Sequence, residues 1–98
     1  MARTKMGEAE CKAAMAKLPE WNLAGDFKSI SRRFTFPDFN HAFGFMTRVA
    51  MEAEKLDHHP DWANVYKTVD VKLNTHDVDG LSELDFQLAQ IMDRLAAR

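Results

Sequence analysis

The sequence predicts an α+β domain: a four-stranded antiparallel sheet with three helices on one face, in the order α-β-β-α-β-β-α. Three observations lead there. Apolar residues step by three and four through two stretches, Phe39 to Leu56 and Leu84 to Leu95. They alternate with period two through two others, Ile30 to Phe36 and Val69 to Leu73. Strand pairs separated by a helix suit an antiparallel sheet covered on one side. At 98 residues without a linker or repeat, the chain reads as one domain over 1–98. A chain of this mass buries roughly 65% of its unfolded surface, enough for a modest core.

Residues 7–17, rich in Ala, Glu and Lys, predict the first helix, and Pro19 ends it. Residues 21–36 predict a hairpin. Trp21 to Leu23 is a short strand, Ala24-Gly25-Asp26 the turn, and Phe27 to Phe36 a longer strand. Ile30, Phe34 and Phe36 share one face of it, with Ser29, Ser31, Arg33 and Thr35 on the other. Residues 38–56 form the clearest helix, opened by a Thr35–Asp38 capping box with Pro37 in the first turn. Phe39, Phe43, Met46, Ala50 and Ala53 are its expected core stripe. A second seam of Phe45, Val49 and Leu56 is left over, and such a patch usually marks an interface, so the chain is expected to self-associate. Residues 57–62 are expected to be a loop, because Pro60 disfavours helix at His59. Residues 64–75 read as strand, and Thr75 to Gly80 as a polar turn. Ser82 and Asp85 form a capping box for the last helix, whose stripe is Leu84, Leu88, Ile91 and Leu95.

Composition narrows the function. Hydrophobic residues make up 46% and charged residues 29%, ordinary for a globular protein. Thirteen Lys and Arg against fifteen Asp and Glu give a net charge of −2, without the basic bias that nucleic-acid backbones require. A single cysteine, Cys11, forms no internal disulfide and no cysteine-built zinc site. No secretory signal and no membrane span is visible, so a cytoplasmic protein is expected.

The chemistry-bearing residues concentrate outside the apolar stripes. His58 and His59 are adjacent in a predicted loop and His76 follows a strand, with Asp57, Asp61 and Asp77 nearby. Imidazole suits general acid–base work near neutral pH. The bland alternative is a set of solvated loop histidines. Three histidines and a carboxylate could also hold zinc, although no His-Glu-x-x-His pair is present. His41 reads as surface. Glu54, near the end of the long helix, reads either as surface or as a site carboxylate. Trp21 and Trp62 read first as core, though either could stack on a flat heterocycle.

Two ordered patterns carry a family resemblance. They are Glu54-Lys55-x-x-His58-His59-Pro60-x-Trp62-x-x-x-Tyr66-x-x-Val69 and Leu73-x-Thr75-His76-x-x-x-Gly80-Leu81-x-x-x-Asp85. Together with Phe39 to Ala50 and the Trp21 strand, they closely resemble the pterin-4a-carbinolamine dehydratase family. Its vertebrate members also serve as a dimerisation cofactor of a hepatocyte homeodomain transcription factor. The resemblance implies the same four-stranded fold and a dehydratase that needs neither cofactor nor metal. It implies a 4a-hydroxytetrahydropterin substrate in tetrahydrobiopterin recycling, dehydrated to quinonoid dihydropterin. It also implies a homo-oligomer, a dimer or tetramer, with a transcription-factor partner and nuclear location as further options. By resemblance, His58, His59 and His76 are the functional histidines. Trp21, Glu54, Asp57, Pro60, Thr75, Asp77, Val78 and Asp85 would line or support the pterin pocket.

Overall fold

The computed structural model describes residues 3–97. Helix α1 spans Glu8–Ala14 and runs into a 3₁₀ turn at Met15–Lys17. Strands β1 (Asn22–Leu23) and β2 (Ile30–Thr35) precede helix α2 (Phe39–Leu56). Strands β3 (Asp61–Val65) and β4 (Thr68–Leu73) follow, then a 3₁₀ turn at His76–Val78 and helix α3 (Glu83–Ala96). The sheet is antiparallel throughout, in the order β1-β2-β4-β3. The expected architecture is the one found.

Ile30 and Phe34 of β2 lie across from Leu73 and Val69 of β4, and with Val71 they form the buried face. Ser31, Arg33, Asp70 and Lys72 alternate onto the other face, where Ser31 is half-buried and the three charged residues are exposed. Arg32 shares the inner side. Its guanidinium stacks on Phe34 and pairs with Asp93 at 2.6 Å, and Asp93 also accepts from the Trp21 indole at 2.8 Å. A charge is thus tolerated at the core edge because it is paired.

Three local expectations need correction. The first concerns the start of α2. Thr35 is still strand, paired with Thr68, so it cannot cap. Asp38 is the N-cap and accepts from the His41 backbone N–H at 2.8 Å and from His41 Nδ1 at 2.7 Å. Pro37 precedes the helix. These two bonds, the backbone one foremost, hold the Asp38 carboxyl below its ordinary range. A depressed carboxyl stabilises the fold above its unfolded value, and that contribution is lost as pH falls through the folded value.

The second correction concerns residues 57–75. Asp61–Val65 is a strand, although Asp61 and Trp62 fall in the expected loop, and the strand-like stretch 64–75 is broken by a two-residue turn at Tyr66–Lys67. Tyr66 takes φ 51° without the Asn or Gly that usually announces such a turn. The side chain of Asn64 supplies the missing support, donating to the Tyr66 and Thr68 carbonyls at 3.0 and 2.9 Å.

The third reverses the two seams of α2. Phe45 and Val49, expected to project from the domain, are 0% exposed within this chain. Phe39 and Phe43, expected in the core, are 46% and 55% exposed. The buried arc is Ala42, Phe45, Val49 and Ala53. Its two alanines let the helix approach its neighbours closely, so packing chose the smaller arc over the more aromatic one.

Candidate active site

One corner of the molecule collects the ends of α2, β4 and α3. Helix α2 stops at Asp57, which takes φ 50°. The Asp57 and His58 backbone N–H groups reach back to the Glu54 and Ala53 carbonyls, a Schellman closure with Asp where Gly is usual. This reversal sends the two adjacent histidines in different directions. His58 is buried and His59 is exposed.

His76 is presented by a pinched loop. The backbones of Thr75 and Gly80 pair across its neck at 2.7 and 3.4 Å, with the 3₁₀ turn between them. A Cβ at Gly80 would stand 2.9 Å from Lys5 Cε, the far end of a flexible side chain that can move aside.

Asp85 anchors the corner from below. It is the third residue of α3 and wholly buried. Its Oδ2 accepts from the Ser82 backbone N–H at 3.0 Å, which completes the expected capping box, and from the Thr75 hydroxyl at 2.7 Å. The Ser82 hydroxyl lies 2.7 Å from that of Thr75. Asp85 Oδ1 takes the ring of His58 at Nε2, 2.6 Å away. A carboxylate can only accept, so His58 donates to it from Nε2. His59 Nε2 meets Glu54 Oε1 at 2.8 Å on the surface.

A cavity of about 240 Å³ is lined by Asp57, His58, His59, Thr75, His76 and Asp77, and also by Asn74 and Arg3. All three histidines therefore border one space. Glu54 and Pro60 line a neighbouring apolar groove that shares His59 with it. Asp85 supports the cavity floor without lining it. Val78 is half-buried in the 3₁₀ turn and does not line the cavity. Trp21, expected as an apolar wall, is placed in the core, edge-on to Phe34 and bonded to Asp93. It stands just before β1, outside the strand expected to start with it, and is buried. Among the described residues, no three His, Cys, Asp or Glu side chains converge as they would around a metal ion.

The sequence reading missed Arg3 and Asn74. Arg3 reaches the cavity because Met6 N–H bonds the Leu81 carbonyl at 2.8 Å, which lays the N-terminal arm across the site. Its guanidinium donates to Asp77 Oδ2 at 3.0 Å and to the Asp57 carbonyl. It thereby ties the loop after α2 to the His76 loop. An arginine three residues from the start carries no periodicity or spacing that could have announced this.

A family model described as pterin 4 alpha carbinolamine dehydratase matches residues 4–95. The chain belongs to this family. A relative from Chelativorans sp. (strain BNC1), which carries the dehydratase name provisionally, is 57% identical over 98 residues, all of both chains. One from Mesorhizobium japonicum, named in the same way, is 57% identical over 93 residues, 95% of each chain. The crystal structure of a transcriptional coactivator/pterin dehydratase from Brucella melitensis is 44% identical. It superposes with a TM-score of 0.91 over 95% of this chain and 99% of that one. A pterin dehydratase-like RuBisCO assembly factor of the alpha-carboxysome shares the fold at 23% identity, with a TM-score of 0.68 over 79% of this chain and 89% of that one. Among the described residues, no helix is long and apolar enough to cross a membrane.

Proposed function

We propose that this chain dehydrates 4a-hydroxytetrahydropterins to quinonoid dihydropterin and water, using its histidines and no metal or cofactor. The observation that carries the reading is the Asp85–His58 pair, a buried carboxylate orienting an imidazole beside two exposed histidines on one cavity. Loss of the 4a-hydroxyl needs a proton on the departing oxygen and removal of one from a ring nitrogen. Burial and Asp85 hold His58 in one tautomer with Nδ1 as acceptor, which suits the base. His59, exposed and bonded to Glu54, suits the acid. His76, Asp57, Thr75 and Asp77 would then hold the flat ring, with Arg3 keeping both loops in place.

The purified chain should accelerate dehydration of a carbinolamine generated by an aromatic amino acid hydroxylase. Exhaustive chelation should leave the rate unchanged. No acceleration by folded protein, or loss of it on chelation, would sink the reading.

A binding role has its own observation. Phe39, Phe43 and Met51 leave an apolar arc exposed on α2, with Met46 and Ala50 between them. Such an arc is the kind of patch that marks an interface. A second copy pairing by two-fold symmetry would cover it, so self-association is proposed through these residues instead of Phe45 and Val49. Light scattering on Phe43→Glu should then give smaller particles than the parent. A parent chain that is monomeric at micromolar concentration would leave the arc to another partner, such as a transcription factor, and overturn the proposal.

A further inference from the structure

The cavity that borders the three histidines holds about 240 Å³, below the ~300–1,000 Å³ usual for small-molecule sites. The chain itself occupies part of the space. Arg3 lines the cavity, and its side chain is only 24% exposed. Nη1 donates to Asp77 Oδ2 at 3.0 Å, and Nη2 donates to the Asp57 carbonyl. The Asp57 carboxylate stands 3.8 Å from Nη2. The guanidinium therefore spans the cavity from the loop after α2 to the His76 loop.

This seat is weakly held. Both carboxylates are largely exposed, and ion pairs in water contribute little. Nε is buried without a partner among the described residues, which weakens the seat further. The backbone bond from Met6 to Leu81 anchors the arm three residues further on, so Arg3 lies beyond the anchor.

Arg3 also has a second place to go. It lines another cavity of about 240 Å³, on the other side of the arm, together with Glu10 and Glu83. Glu10 Oε1 accepts from the Gly7 N–H, whereas the Glu83 carboxylate makes no side-chain hydrogen bond among the described residues. A guanidinium leaving the histidines meets a carboxylate there.

The proposed substrate carries the same donor pattern as Arg3. In a pterin, N1, N3 and the amino-bearing C2 form a guanidine unit closed into the ring. Its N3–H and 2-amino N–H are adjacent coplanar donors, as the two Nη groups of arginine are. A carbonyl and a carboxylate that accept from one can accept from the other, but not from both at once.

We propose that Arg3 is an internal competitor of the substrate: its guanidinium holds the Asp57 and Asp77 acceptors in the empty site, and yields them to the entering ring by moving towards Glu83. The proposal rests on the dehydratase reading and adds how access to that site is controlled. In the empty site Arg3 keeps the two loops at their spacing. In the occupied site the ring bridges them instead.

Two readouts test this: binding of an unreactive pterin, followed by its fluorescence, and KM for the carbinolamine. Arg3→Met keeps the stem and removes the competing donors. It should tighten pterin binding and lower KM by about three- to fivefold, as expected when an exposed pair no longer fills the site. Arg3→Lys, which loses the planar fork, should give a smaller gain of the same sign. Glu83→Gln removes the outer acceptor and should weaken pterin binding, but not when Arg3 is already replaced by Met. Millimolar ethylguanidinium should compete with pterin in the Arg3→Met variant. Weaker pterin binding in Arg3→Met, or binding that ethylguanidinium improves, would make Arg3 a brace and overturn the proposal. Turnover by both chains at the same KM would overturn it with the dehydratase reading intact. Turnover by neither would overturn the two together.

Discussion

His59→Ala is expected to lower kcat by at least ~10²-fold, the low end of what a positioned acid or base contributes. The uncatalysed dehydration, which itself responds to acid and base, has to be subtracted first. The variant should fold normally, because the His59 side chain is 57% exposed and its one bond is to an exposed Glu54. A thermal melt superposable on the parent would therefore accompany the loss of rate. His59 is the cleaner probe of the two neighbours for this reason. Its partner His58 is buried against Asp85, and removing that ring would damage the fold and the chemistry together. Glu54→Gln should have a much smaller effect, since a surface bond in water orients weakly. If His59→Ala kept more than half of the corrected rate, the acid–base role would be wrong.

Asp85→Ala should be the most destabilising single change in the site, by about 3–5 kcal/mol. Asp85 accepts from the His58 ring, the Thr75 hydroxyl and the Ser82 backbone N–H, and it is 0% exposed. Truncation leaves those three donors buried, each orphan costing ~1–3 kcal/mol before water enters the gap. It also uncaps α3 at its first turn. Against a typical total of about 5–15 kcal/mol, the loss is large enough to read directly from urea unfolding. Asp85→Asn should keep the volume and most of the stability. Its amide can satisfy Ser82 and Thr75 through oxygen only by turning N–H towards His58, which then has to carry its proton on the other nitrogen. Activity should accordingly fall far more than stability in that variant. A cost below about 1 kcal/mol for Asp85→Ala would mean that the buried network contributes little.

Much of this corner was legible in the chain. The Ser82–Asp85 spacing announced a capping box, and that box is present. It accounts for only one of the two Asp85 oxygens. The bond of the other to His58 joins residues 27 apart, and no local pattern encodes it. His58 and His59 looked alike as neighbours in a polar loop. Only the left-handed turn at Asp57 separated them into a buried ring and an exposed one. Arg3 came to the site because the Met6 N–H bonds the Leu81 carbonyl, across most of the sequence.

The sequence by itself determined the class of fold, the number of helices and the identity of the histidine-bearing segments. These follow from periodicity, caps and residue type, which are properties of neighbours along the chain. The tertiary structure decided which arc of α2 is core, because Phe39–Phe43 and Phe45–Val49 are equally apolar and only the space against sheet and α3 distinguishes them. It also decided where β3 begins and turns, because the Asn64 side chain closes a turn that Tyr66 and Lys67 do not announce. In each case the deciding term was a contact between residues, and a contact has no period in one dimension.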